Sequence, residues 1–158
     1  MLDMELPGDF ESLTTLSSVM THPDHRGHDL MNKIIKRWKE RAIEENRNHL
    51  LSLITTSNVK SWSQFIKEGM VIAGAGHDPS DDSECYYAHL DLNDDAFRTD
   101  FNRNSLGPLL LDPNADLDAM KELFKLGYRG FKAEKDPQTN FYTGRLYLRK
   151  RSNRSTPA

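Results

Sequence analysis

Between positions 13 and 55 the chain passes from an apolar run, Leu13-Thr-Thr-Leu-Ser-Ser-Val-Met20, through a basic turn and directly into an amphipathic helix. A short buried strand, Leu50-Leu-Ser-Leu-Ile-Thr55, follows that helix. In the helix Leu30, Ile34, Ile35, Trp38, Ala42 and Ile43 recur at helical spacing, with mostly Lys, Arg, Glu and Asn between them. The segment therefore reads strand, turn, helix, strand, with Leu13, Val19 and Met20 on the first strand. The turn is Thr21-His22-Pro23-Asp24-His25-Arg26-Gly27-His28-Asp29. A strand that ends in a basic turn and opens a helix gathers free backbone N–H groups, the positive end of a helix dipole and Arg26 around one point. That point suits an anion such as a pyrophosphate.

Downstream, Ser57 or Asn58 caps a second helix, whose Val59, Trp62, Phe65 and Ile66 share a face before Gly69 ends it. Met70 to Gly74 reads as a strand, His77 to Asp82 as a turn, and Glu84 to Leu92 as an alternating closing strand. The end of this pattern then recurs without a gap, shifted by 58 residues. Leu109-Leu-Leu111 falls on Leu51-Ser-Leu53, and Leu117, Met120, Leu123 and Phe124 fall on Val59, Trp62, Phe65 and Ile66. Gly127 falls on Gly69, and Asp136-Pro137 falls on Asp78-Pro79. Identities are few, but helix caps, turns and apolar positions align without an insertion, which predicts a structural repeat. The expected organisation is a flexible lead-in at 1–10, a core at 11–92, a linker at 93–108, a half-repeat on the same sheet at 109–150, and a basic disordered tail at 151–158.

Composition narrows the function classes. At 158 residues the chain fits one ordinary domain, and no apolar run approaches the roughly 18 residues of a membrane span. Asp3, Glu5 and Asp9 stand where a signal peptide would be basic, and the lone Cys85 makes no internal disulfide, so a cytoplasmic setting is expected. A net charge of −3 argues against nucleic acid as the partner. Arg145, Arg149, Lys150, Arg151 and Arg154 read as a solvated last strand and tail. His22, His25 and His28 lack the spacing of a zinc set, and no metal is expected.

The order strand, His22-Pro23-x-x-Arg26-Gly27, helix resembles the coenzyme A motif of the GNAT acyltransferase superfamily. Asn58-Val-Lys-Ser-Trp-Ser-Gln-Phe65-Ile-Lys67-Glu-Gly69-Met70 is similar to that family's next signature. The resemblance implies an α/β fold: a GNAT-like mixed sheet flanked by helices, here with a strand-helix-strand-strand unit repeated at its C-terminal end. It implies acetyl-CoA or another acyl-CoA as donor, with the pantetheine arm on the strand backbone at Val19, Met20 and Thr21. The pyrophosphate would lie on the turn at Arg26, Gly27, His28, Asp29, Leu30 and Met31, with Asn58 also binding the cofactor. The acceptor would be an amine on a small molecule or peptide. Family members usually place three strands and two helices before the motif strand, where this sequence has about ten residues. The C-terminal repeat or a second subunit is expected to supply the missing sheet, which makes a homodimer a natural assembly.

Several positions depart from the motif. Its glycines are replaced by Asp29 and Met31. A carboxylate about 5 Å from a phosphate charge, at an effective dielectric near 20, repels it by roughly 3 kcal/mol. Met31 adds a side chain where the phosphate approaches the backbone. Phe65 replaces the tyrosine that protonates the leaving thiolate in many members, and Thr15 the usual strand glutamate. Glu11, four residues earlier, takes the place of the base if the strand extends that far, and Glu84, Tyr86 and His89 on the closing strand are further catalytic candidates, with Glu84 and Tyr86 on one face. Two functions follow: an acyl-coenzyme A dependent N-acyltransferase, or a GNAT-like protein that has lost coenzyme A activity and uses the cleft for another ligand, reaction or partner protein.

Overall fold

The computed structural model describes residues 10–20, 22–94, 109–112 and 114–150. The lead-in at 1–9, Thr21, most of the expected linker and the basic tail lie outside the described residues. The strands are β1 (Leu13–Thr15), β2 (His49–Thr55), β3 (Val71–His77), β4 (Glu84–Asp91), β5 (Leu109–Leu111), β6 (Tyr128–Lys135) and β7 (Tyr142–Lys150). Among the described residues the helices are α1 (Leu30–Glu44), α2 (Val59–Lys67) and α3 (Leu117–Lys125). The fold is α/β, with one seven-stranded mixed sheet in the order β1-β2-β4-β3-β6-β7-β5. β1 pairs with β2 in parallel, and the other neighbours are antiparallel. A parallel neighbour requires a crossover, and α1 is that crossover.

These helices pack on one face of the sheet. Strand residues on that face alternate, as Leu50 and Ile54 on β2 and Tyr86, Ala88 and Leu90 on β4. With Ile35, Trp38, Trp62, Phe65, Met120 and Phe124 they form one core. On the opposite face Leu51, Cys85 and Tyr87 make a smaller cluster with Leu13 and Leu53. In α1 the buried positions are Asn32, Ile35, Trp38 and Ala42. The sequence reading placed Ile34 and Ile43 on that stripe, but they are 37% and 62% exposed. The helix turns its Asn32 side, not its Ile34 side, toward the sheet.

The 58-residue offset reappears in three dimensions. α2 and α3 start and end at equivalent positions, and Asn58 and Asp116 cap them in the same way, each accepting an N–H three residues on at 3.2 Å. Gly69 and Gly127 both end their helices at positive φ, 92° and 88°. In the hairpin turns, Asp82 and Asn140 sit at φ 58° and 59°, and their N–H groups donate to the carbonyls of Asp78 and Asp136. Even the register breaks after Ile72 and Gly130 correspond. At the seam between the units Ile72 pairs with Gly130, its own equivalent. Outward from that pair the order is β3-β4-β2 on one side and β6-β7-β5 on the other. The two units are therefore related by a local twofold, the relation two subunits of an isologous dimer would have.

One expectation is corrected by this topology. The C-terminal unit extends the sheet from β3, not from β1, so it does not take the place of strands that would flank β1. Among the described residues β1 remains a sheet edge.

Candidate functional site

β1 and β2 stay together for only three rungs, Leu13 with His49, Thr14 with Leu50 and Thr15 with Leu51. The Leu16 N–H then donates to the Leu51 carbonyl (3.2 Å), and the Ser52 hydroxyl donates to the Leu16 carbonyl (2.7 Å). Past that point Ser18 adopts φ 55°, a left-handed conformation that ends an extended strand for an L-residue. The chain turns away, leaving Met20 89% exposed, while β2 continues to Thr55 against β4. The first strand is thus shorter than its apolar run suggested. Val19 and Met20 lie beyond it, on the diverging segment.

The turn that follows is built by local chemistry. Pro23 opens a single 3-10 turn, and His22 caps it by accepting the Asp24 N–H at its Nδ1 (3.4 Å). Gly27, at φ 83°, reverses the chain; a Cβ there would meet nothing within 4 Å, so the glycine is required for its backbone conformation, not for space. Asp29 follows at φ 58° as the N-cap of α1. Its side chain caps no helix N–H, unlike Asn58 and Asp116 on the other helices. Instead the Asp29 carboxylate accepts from the Asn32 amide Nδ2. The first amides of α1 thus open outward beside a basic turn whose residues 22–29 are all exposed.

Next to the turn lies a groove of about 340 Å³ with Met20, Leu30 and Ile34 as its apolar part and His22, His25, Lys33 and Arg37 as its basic part. Arg37 is not a free cation: Glu40 (2.9 Å) and Glu44 (3.4 Å) hold its guanidinium and raise its pKa. Arg26, Gly27, His28, Asp29 and Leu30 are thus brought together at the helix start, with Met31 half-buried against the core. Asn58 stands at the N-terminus of α2, at the same end of the sheet. Its Oδ1 accepts the Ser61 N–H, so its remaining donor for a ligand is the amide nitrogen.

Neither Glu11 nor Tyr86 joins this cluster as a proton carrier. Glu11 sits in a 3-10 turn ahead of β1, so the strand does not extend to it. Arg47, just past the C-terminal end of α1, donates to the Glu11 carbonyl. Glu11 is therefore at the far end of a 15-residue helix from Asp29, about 22 Å along the axis. Tyr86 is at the correct end of the sheet, paired with Ile54, but it is 2% exposed beneath α2 with its ring edge-on to Trp62. Burial, reinforced by Glu84, pushes its hydroxyl up to about 12, so it holds its proton. Phe65 lies in the same core, 2% exposed. His89 is on the opposite face, its Nε2 3.4 Å from His49 Nδ1 at the other end of β2.

A second cavity of about 500 Å³ is lined by the hairpin residues His77 to Asp82, by Tyr87 and by Lys121 of α3. It is separated from the β1–β2 gap by two strand spacings, about 10 Å, and so does not share that gap. Beside it Cys85 is buried, and that burial with Asp78 pushes its thiol up to about 11. The unfolded thiol ionises near 8.5. Between those values the native state binds more protons than the unfolded one, so stability falls as pH rises. A thermal melt at pH 10.5 is expected to lie below one at pH 8, and Cys85→Ala should narrow the difference. An unchanged difference in Cys85→Ala would assign it to other groups.

Asn32, buried at the start of α1 and bonded to Asp29, is a residue the sequence reading passed over. The signal was present: it lies three residues before Ile35 and six before Trp38, a polar residue on the buried stripe. No family model matches the chain, and no curated protein matches it significantly.

Proposed function

We propose that the chain is an acyl-coenzyme A dependent N-acyltransferase. One observation carries the reading: two parallel strands part after Leu16, and the turn that follows leads into a helix whose N-cap side chain, Asp29, makes no capping bond. This supports a ligand with an anionic end on the turn at Arg26–Asp29 and an extended arm reaching toward the parted strands. In the reaction the neutral amine of a small molecule or peptide attacks the thioester carbonyl. The C–N bond forms, the C–S bond breaks, and the amine proton passes through water to the departing thiolate. A strand amide stabilises the charge on the carbonyl oxygen. Glu11 and Tyr86 take no part in the proton transfer in this scheme. The edge of β1, unpaired among the described residues, is the surface on which a second copy would pair.

Asp29 supports a second reading, in which this scaffold binds another ligand and no coenzyme A. Its carboxylate is tied by Asn32 at the helix start and places the chain's own negative charge where the pyrophosphate would lie. Calorimetric titration of acetyl-CoA separates the two. Micromolar binding by the native chain is expected. Screening at an exposed site reduces the roughly 3 kcal/mol repulsion, so Asp29→Gly should tighten binding about tenfold; glycine also accepts the φ of 58°. No binding by the native chain, with a gain in Asp29→Gly, would establish the second reading and remove the first.

A further inference from the structure

Asn32 is 1% exposed, and its two amide atoms are treated differently. Nδ2 donates to the Asp29 carboxylate, whereas Oδ1 is buried with no hydrogen-bond partner among the described residues. The orientation is fixed by chemistry, because reversing the amide would set its oxygen against the carboxylate, two acceptors face to face. A buried acceptor left without a donor destabilises the protein that carries it. Most such atoms in native proteins are paired, so this one calls for a donor from outside the described residues.

Its position in the fold says where that donor would lie. α1 runs antiparallel to β1, with Arg47 beyond its C-terminus reaching Glu11 and Trp38 Nε1 donating to Thr14 Oγ1 (3.2 Å). Asn32 is six residues before Trp38, about 9 Å back along the helix. The same distance along the strand is about three residues past Thr14, which is the level of Ser17. That is just beyond the last backbone hydrogen bond between the strands, the one from the Leu16 N–H to the Leu51 carbonyl. Both Asn32 and Ser52 are buried on the helix side of the sheet at this level, and the Ser52 hydroxyl already serves the Leu16 carbonyl.

We infer that Asn32 is a ligand-binding residue whose Oδ1 accepts a hydrogen bond from an amide N–H of an extended chain lying between β1 and β2 where those strands part. The ligand class is an extended chain that carries a secondary amide, whose N–H is the donor the Asn32 acceptor lacks among the described residues. The inference rests on the acyl-coenzyme A reading for its ligand, since the pantetheine arm carries secondary amides. Asn32 is then a positioning residue: it holds the arm and touches no reacting atom.

The test compares two ligands on two proteins. Coenzyme A and adenosine 3′,5′-bisphosphate, which lacks the amide arm, are titrated calorimetrically into the native chain and into Asn32→Leu, which is similar in volume without the acceptor. The variant should bind coenzyme A about five- to tenfold more weakly, bind the bisphosphate as the native chain does, and melt no lower. Equal coenzyme A affinity in the two proteins would overturn the inference and leave the acyltransferase reading standing. An equal loss for both ligands would also overturn it, because the effect would then run through Asp29 at the helix terminus. If the native chain binds no coenzyme A, the functional reading fails and this inference fails with it. Should Asn32→Leu not fold, Asn32→Ser, too short to reach the arm, is read against the same two ligands with the same expected split.

Discussion

Trp62→Ala is expected to lower the free energy of unfolding by about 3–5 kcal/mol, the range for removing a large aromatic side chain from a closed core. Trp62 is fully buried, its ring meets Tyr86 edge-on at 5.9 Å, and its Nε1 donates to the Thr56 carbonyl (3.0 Å). The substitution empties the space between α2 and the sheet and leaves a part-buried carbonyl without its donor. Thr56 and Asn58 lie in the turn that carries β2 into α2, so the loss extends to the end of the sheet where the strands part. Urea unfolding followed by fluorescence and far-ultraviolet dichroism measures it. Trp62→Phe keeps most of the volume and should cost less than half as much. A loss below about 1 kcal/mol for Trp62→Ala would mean that α2 is not packed as described.

Gly130→Ala is expected to cost about 1–3 kcal/mol, a large effect for one methyl group. A Cβ at Gly130 would stand 2.6 Å from Leu146 Cδ2 and 2.9 Å from its Cδ1 and Cγ. Leu146 is itself fully buried, so it cannot swing into solvent to make room. The residue also lies on the local twofold, where it pairs with Ile72 and joins the two halves of the sheet. The same substitution at Gly127 provides the contrast in mechanism. Nothing lies within 4 Å of a Cβ there, and its φ of 88° makes backbone strain the only source of destabilisation. Thermal unfolding of both variants tests this. Repacking of Leu146 at no cost in Gly130→Ala would show that the seam is looser than its geometry implies.

Much of the fold was legible because local rules and tertiary packing agree there. Asn58 as a cap, the apolar face of α2 and Gly69 as its stop are each set within a few residues of chain, and all three were found where expected. The 58-residue repeat was legible for the same reason, since caps, positive-φ positions and turn carbonyls are local demands that two copies meet in the same way. Reading failed where distant partners decide. The first strand ends at Thr15 because Ser18 leaves the sheet, although its apolar run continues to Met20. Glu11 matched a strand periodicity that the strand does not reach. Tyr86 alternated correctly along β4, yet burial beneath α2 removes it from any open site.

By itself, then, the sequence determined the local units: the basic turn with Gly27 at positive φ, the helix after it, and the repeated strand-helix-strand-strand order. Each depends on backbone conformation and side-chain spacing within a few residues. Only the tertiary structure decided how those units meet. It set the parallel pairing of β1 with β2 and its early end, the seam at Ile72 and Gly130, and the burial of Asn32 with an unanswered acceptor. Those features depend on which surfaces come together across long stretches of chain, and residue spacing along one segment carries no record of that.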